Sequence, residues 1–149
     1  MATVKWLAPE SLTSALTTEL NSLADSTSDT TGFSAVSAEI PNETDLFQYI
    51  SLELVVAAQG SARSAGAFVA VYINYSADGT TYDDASNKAF SELLAVFGLD
   101  AATTARRLTR VNIPIPPLDF KLLELNDTGQ AFAASGNTLK YRRHNEQVV

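Results

Sequence analysis

Hydrophobic and polar residues alternate through most of the chain after residue 33. Val36, Ala38 and Ile40 alternate with Ser37 and Glu39. Ile50, Leu52, Leu54 and Val56 alternate with Tyr49, Ser51, Glu53 and Val55, the clearest two-residue period present. Val69, Val71, Ile73 and Tyr75 form a third row against Phe68, Ala70, Tyr72 and Asn74. A period of two places each set on one face of a half-buried strand. Asp78-Gly79 then marks a tight turn, with a return strand expected to begin at residues 80–82. Over residues 83–105 the pattern is mixed: Phe90, Leu93, Leu94 and Phe97 fit one helix face, whereas 93–99 fit a strand; a strand after Ser91 is favoured, with a loop over 100–105. Residues 108–115 alternate again, with Val111, Ile113 and Ile115 on one face, and end at Pro114, Pro116 and Pro117. Further strands are expected at 120–125 and 139–145, with a short apolar stretch at 131–134 between them. They are separated by Asn126-Asp127-Thr128-Gly129 and Ser135-Gly136-Asn137.

The first thirty residues read differently. Trp6, the only tryptophan, lies in a short extended piece at residues 3–7. Pro9 suits the first turn of a helix, and Leu12, Leu16, Leu20 and Leu23 fall on one helical face. The spacing predicts a helix ending near Ala24, followed by a Ser/Thr/Asp-rich loop over 25–32. The expected fold is therefore mainly β: a jelly-roll-like antiparallel β-sandwich with a short N-terminal helix or arm. Residues 1–31 form the arm and helix, and 32–149 the sandwich domain.

A length of 149 residues suits one domain with a real core. The absence of cysteine excludes disulfides, thiolate metal sites and cysteine nucleophiles. No apolar run approaches a membrane span, and the opening residues lack the apolar stretch of a secretory signal. Asn42-Glu43-Thr44, Asn74-Tyr75-Ser76 and Asn126-Asp127-Thr128 match the glycosylation triplet and, without a secretory route, read as chance. The net charge of −7 argues against general nucleic-acid binding. It is unevenly placed. Residues 1–100 hold three basic and thirteen acidic residues, a net −10, whereas 101–149 hold seven and four, a net +3. Such asymmetry suits complementary faces meeting between subunits or against a partner, or two ordinary solvated faces.

Little points to catalysis. His144, the only histidine, sits beside Arg142 and Arg143 near the chain end, and no G-x-S-x-G elbow is present. It reads as a surface or interface residue. Asp78, Asp83 and Asp84 cluster around one hairpin, where turn chemistry accounts for them better than a calcium site or a carboxylate pair. Neither Gly-rich phosphate motif occurs. No catalytic, cofactor-binding or metal-ligating residue is therefore expected. Two basic clusters remain, Arg106-Arg107 with Arg110, and Lys140 with Arg142-Arg143. Arginine's planar fork suits contact with an acidic protein surface. Trp6 could anchor on a neighbouring subunit or return to its own sandwich. The candidate interface residues are Trp6, Arg106, Arg107, Arg110, Arg142 and Arg143.

Several stretches carry a family resemblance. Thr3-Val4-Lys5-Trp6 with residues 15–24 resembles the start of small tailed-bacteriophage virion proteins. Ile113-Pro114-Ile115-Pro116-Pro117, Phe120-Lys121-Leu122-Leu123, Asn126-Asp127-Thr128-Gly129, residues 131–141 and Asn145-Glu146-Gln147-Val148-Val149 resemble the second half of the same family. The similarity runs over nearly the whole chain, with 83–105 indistinct. It implies a non-enzymatic capsid decoration, or cement, protein with a β-sandwich core. Such a protein is made in the host cytoplasm and placed on the capsid exterior as a homotrimer bridging the major capsid protein. It implies no cofactor, nucleic-acid or membrane partner and no catalytic residues. A carbohydrate- or receptor-binding module using Tyr72, Tyr75 and Tyr82, and a tail or neck component, are the alternatives.

Overall fold

Five nested antiparallel strand pairs organise the chain in a computed structural model, which describes residues 3–26 and 33–148. The strands are β1 (Val4–Trp6), β2 (Thr13–Leu16), β3 (Ala35–Val36), β4 (Tyr49–Val56), β5 (Phe68–Ser76), β6 (Glu92–Gly98), β7 (Arg106–Pro114), β8 (Asp119–Asp127), β9 (Thr138–His144) and β10 (Glu146–Val148). Short 3-10 turns occupy Thr18–Leu20 and Lys88–Phe90. β5 pairs with β6, β4 with β7, β3 with β8, β2 with β9 and β1 with β10. The first half of the chain thus lies antiparallel to the second like one long hairpin. Rolling that hairpin brings β9 beside β4 and β8 beside β5. Two four-stranded sheets result, in the orders β2-β9-β4-β7 and β3-β8-β5-β6. This is a jelly roll, an antiparallel β-sandwich of two Greek keys.

The core lies where the alternation predicts it. Ile50, Leu52, Leu54 and Val56 are buried, as are Val69, Val71 and Ile73 opposite them. Phe97, Phe120, Leu122 and Leu139 complete the inner faces. One ionisable residue interrupts them. Glu124 of β8 pairs in register with Val71 and Ala35 and is 1% exposed, and neither carboxyl oxygen has a hydrogen-bond partner among the described residues. Burial pushes its carboxyl up to about 8, so it is neutral at pH 7.

Four sequence expectations are corrected. The N-terminal helix is absent: residues 13–16 form β2 on the open edge of β9, and only the 3-10 turn follows. Ser11, Thr13, Ser14, Thr17 and Thr18 are weak helix formers, while a sheet edge supplies backbone partners at once. Leu16, Leu20 and Leu23 are buried all the same. Consequently the division at residue 31 does not separate an arm from a sandwich, because β2 is a strand of the sandwich and β1 pairs with the last strand. That boundary, like most of the loop expected over 25–32, falls outside the described residues.

Val111 is the third correction. The β4–β7 register slips between Ile50 and Leu52, so that Ile50 faces Ile113 and Leu52 faces Arg110. Val111 and Asn112 oppose Ser51 alone, a β-bulge with Asn112 at φ 57°. The extra residue reverses the alternation and turns Val111 outward, 64% exposed. Finally, residues 80–82 provide only an isolated bridge between Ser76 and Tyr82 in place of a return strand. The short apolar stretch at 131–134 is an irregular loop anchored by buried Phe132.

The three glycosylation triplets lie inside the structure. Asn42, Asn74 and Asn126 are all at most 2% exposed, and each side-chain amide donates to backbone carbonyls. They serve as turn and loop fasteners, which removes them as glycan acceptors in the folded chain.

Candidate functional site

Alternation on β9 sorts the basic C-terminal cluster. Leu139, Tyr141 and Arg143 face inward opposite Leu54, Leu52 and Ile50. Lys140, Arg142 and His144 face outward opposite Glu53, Ser51 and Tyr49. The adjacent arginines therefore have opposite fates.

Arg143 is 4% exposed. Its guanidinium donates from Nε and one Nη to the two carboxylate oxygens of Glu10, at 2.7 and 3.0 Å, and to Asp45 Oδ2 at 3.1 Å. It also donates to the Pro41 carbonyl and lies 4.5 Å from the centroid of Phe47. Every direction of the fork is occupied from within the chain, so Arg143 is an internal fastener.

Arg106 and Arg110 are also engaged internally. Arg106 donates to both carboxylate oxygens of Asp100, and this contact, with burial opposing it, holds the Asp100 carboxyl down to about 2. Asp100 also accepts from Arg63, whose fully buried side chain reaches Gln59 and the Thr104 carbonyl. Together these clamp the 57–67 and 99–105 loops. Arg110 donates to the carbonyls of Val96 and Thr109 and lies over the Phe97 ring, closing the gap between the two sheet edges β6 and β7. Arg107 is outward and makes a looser ion pair with Glu53 at 3.4 Å.

Arg142 alone of the six arginines makes no hydrogen bond or ion pair among the described residues. It lies between two clefts of about 240 Å³ each on the outer face of the β2-β9-β4-β7 sheet. Trp6, Leu7, Pro9, Asn112 and His144 wall one cleft, and Leu12, Glu53, Thr109 and Val111 wall the other; Ser51 and Arg142 line both. The two clefts adjoin at Ser51 and Arg142, and the pair is called the groove.

The β1–β10 ribbon roofs one end of the groove. Trp6 returns to its own sandwich, with its ring edge-on to Tyr49 and His144 at 5.5 and 5.1 Å, yet remains 50% exposed. His144 stacks on Tyr49 at 5.6 Å and its Nε2 lies 3.1 Å from Asn112 Oδ1. Burial, reinforced by the Arg142 charge, holds the imidazole below its ordinary value against the opposing pull of Glu146. The residue read as a surface histidine is thus 7% exposed beneath Trp6. Asn112 N–H donates to Ser51 Oγ at 3.3 Å. The Arg142 fork is the one charged donor of this cleft, between apolar walls from Trp6, Leu7 and Pro9, while the adjoining cleft adds the Glu53 carboxylate.

Of the sequence candidates, the structure brings Trp6 and Arg142 together and leaves Arg107 nearby. Arg106, Arg110 and Arg143 lie elsewhere. Ser51, Asn112 and Val111 were missed, because they meet through the β7 bulge. An Asn inside a strand pattern, tolerant of positive φ, was the available signal.

Of the tyrosines offered for stacking, Tyr72 packs on Phe33 at 5.0 Å. Tyr75, half-buried against the core, and Tyr82, whose ring lies beneath the Lys121 ammonium at 4.2 Å, line one cleft with Asp78 and Asp83.

No protein-family model matches the chain. No curated protein matches it. Solved structures similar to it include the K3 cleaved adhesin domain of Lys-gingipain from Porphyromonas gingivalis w83 (15% identity, TM-score 0.38, covering 77% of this chain and 62% of that one). Infectious bursal disease virus, Gx strain, is similar at 14% identity and TM-score 0.40, over 97% of this chain and 32% of that one. The CBM22-1 xylan-binding domain of Paenibacillus barcinonensis Xyn10C is similar at 10% identity and TM-score 0.39, over 97% and 85%. The chain thus spans less than two thirds of the first two. The fold assignment rests on the strand pairing described above.

Proposed function

We propose that this chain is a non-enzymatic virion structural protein of the capsid-decoration type. In this reading it binds the outside of a phage head as a homotrimer and reinforces the shell by bridging copies of the major capsid protein. The residue resemblance supports the family. The observation that carries a docking role is the outer-sheet groove, where half-exposed Trp6 stands beside the one unengaged arginine, Arg142. Exposed Trp and Arg at the edge of a rigid sheet are typical anchors of protein interfaces. Bridging converts several weak contacts into one strong attachment through effective concentration.

Cryo-microscopy and mass spectrometry of intact particles test the reading. Many copies distributed over the head, and heads that lose heat resistance or DNA when the protein is missing, are the expected results. Copies confined to one vertex would instead identify a tail or neck component. Glycan binding abolished by Trp6→Ala, with no head density, would identify a carbohydrate-binding module.

A further inference from the structure

A separate cleft, of about 440 Å³, opens where β5 leaves its sheet and β8 enters it. It shares no lining residue with the groove. Tyr75, Tyr82 and Leu118 give it apolar walls, and Asp78, Thr81 and Asp83 give it polar groups. The loop that carries most of these residues is tied back to the sheet. Ser76 bridges to Tyr82, the Asp83 N–H donates to the Tyr75 carbonyl at 3.3 Å, and the Asn74 amide donates to the Asp83 carbonyl at 2.9 Å. Asp78 Oδ1 accepts from Ser76 Oγ at 3.1 Å and from the Thr80 and Thr81 N–H groups at 2.9 and 2.6 Å. These contacts hold the cleft in shape before any ligand arrives.

Its polar groups have bonding capacity left. Asp78 is ionised, held well below the usual carboxylate range by the Thr81 and Thr80 N–H groups. It uses Oδ1 for the turn and keeps Oδ2 as a further acceptor. The exposed Asp83 carboxylate makes no hydrogen bond or ion pair among the described residues. Tyr75 supplies a donor: burial, reinforced by the Glu92 charge, pushes its phenol up to about 12, so the hydroxyl keeps its proton. The Tyr82 hydroxyl is itself buried, so what this side chain offers the cleft is its ring.

Fixed acceptors beside a phenol donor and an aromatic wall match a molecule whose hydroxyls both donate and accept and whose C–H face is apolar. We infer that this cleft binds a neutral sugar, with the ring against Tyr82 and Leu118, hydroxyls donating to Asp78 and Asp83, and a sugar oxygen accepting from Tyr75. An acidic sugar would set its own carboxylate against both aspartates. A metal ion needs more ligands than the cleft gathers, since no group of three or more His, Cys, Asp or Glu side chains placed to hold one occurs among the described residues. A free cation would compete with the Lys121 ammonium, which already lies 4.2 Å from the Tyr82 ring centroid. The inference goes beyond the proposed function and does not depend on it, because the cleft and the groove belong to different sheets.

Amide NMR of the purified full chain, titrated with glucose, galactose, mannose, N-acetylglucosamine, maltose and lactose, tests the inference. At least one sugar is expected to bind saturably, with a Kd on the order of 1 mM. It should move the amides of residues 75–83 and 118 and leave those of Trp6, Ser51 and Asn112 in place. Asp83→Ala should weaken binding roughly tenfold; Asp83 is anchored through its backbone, so the rest of the spectrum should report an intact fold. Tyr82→Phe keeps the ring and should bind like the wild type, whereas Tyr82→Ala should not bind. The uronic acid corresponding to the best sugar should bind roughly tenfold more weakly. No shift of these amides at about 50 mM of any sugar overturns the inference, as does binding that survives Asp83→Ala or is equal for the uronic acid. Shifts confined to the groove, or a cleft that takes ethylguanidinium and no sugar, overturn it as well. Because the amides that move distinguish the cleft from the groove, none of these results bears on capsid binding.

Discussion

Asn112 Oδ1 lies 3.1 Å from His144 Nε2, and Asn112 is also the residue whose left-handed backbone makes the β7 bulge. One side chain thus joins the bulge that turns Val111 outward to the histidine on which Trp6 rests. Asn is suited to both tasks, since it tolerates positive φ and supplies an acceptor. Asn112→Ala removes both and is expected to cost about 1–2 kcal/mol. Asn112→Gly keeps the backbone and should cost less in urea denaturation. Both variants should alter Trp6 fluorescence by freeing the imidazole beneath it, and unchanged emission would separate the bulge from the ribbon.

Arg142 and Arg143 should respond oppositely to truncation. Arg143→Ala removes the contacts to part-exposed Glu10 and Asp45 and empties a buried space beside Phe47, so a loss of about 2–3 kcal/mol is expected. Arg142→Ala should change stability by less than about 0.5 kcal/mol. Arg143→Lys should recover little, because an ammonium cannot reproduce the two-pronged contact with Glu10. Equal losses at the two positions in equilibrium denaturation would contradict the inward and outward assignment.

Glu124 makes stability fall with rising pH. Its folded carboxyl binds a proton up to about 8, whereas the unfolded chain releases it near the ordinary glutamate value. The contribution is full below that ordinary value and is lost as pH rises through about 8, at about 1.4 kcal/mol per pH unit in between. Glu124→Gln should flatten this part of the profile and raise stability at pH 8 relative to pH 5. Parallel profiles for the two proteins would show that the buried carboxyl is not the source.

His144 acts in the opposite sense. Its folded affinity for a proton is lowered by burial and by Arg142, so the unfolded chain binds protons more readily. Stability from this site is full above the ordinary histidine value and is lost as pH falls from there through the lowered folded value. Trp6 fluorescence should follow the same acid transition, and His144→Gln should remove it. A transition that persists in His144→Gln would assign it to another group.

Much of the fold was legible in the alternation. The period of two identified the buried face of β4 and the inward Val69, Val71 and Ile73 of β5, because strand geometry is local: successive side chains point to opposite sides whatever the strand pairs with. It did not show that Ala70 and Asn74, on the other face of β5, are buried as well. The same rule placed Arg142 and Arg143 on different faces. It misled at Val111, where one extra residue reversed the alternation. The leucines of residues 12–23 also misled, since a period of four fits a helix but burial does not require one, and the free edge of β9 supplied partners that no local pattern records.

The sequence by itself determined an antiparallel β protein without thiol chemistry, the inner faces of its clearest strands and an uneven distribution of charge. Those follow from residue type and from a periodicity set within a few residues. The tertiary structure alone decided which arginines are engaged internally and which one, Arg142, makes no hydrogen bond or ion pair among the described residues. It also decided that Trp6, Ser51, Asn112 and His144 share one groove. That groove brings together four segments far apart in the chain, and the pairing that joins them is a property of the rolled hairpin rather than of any single stretch.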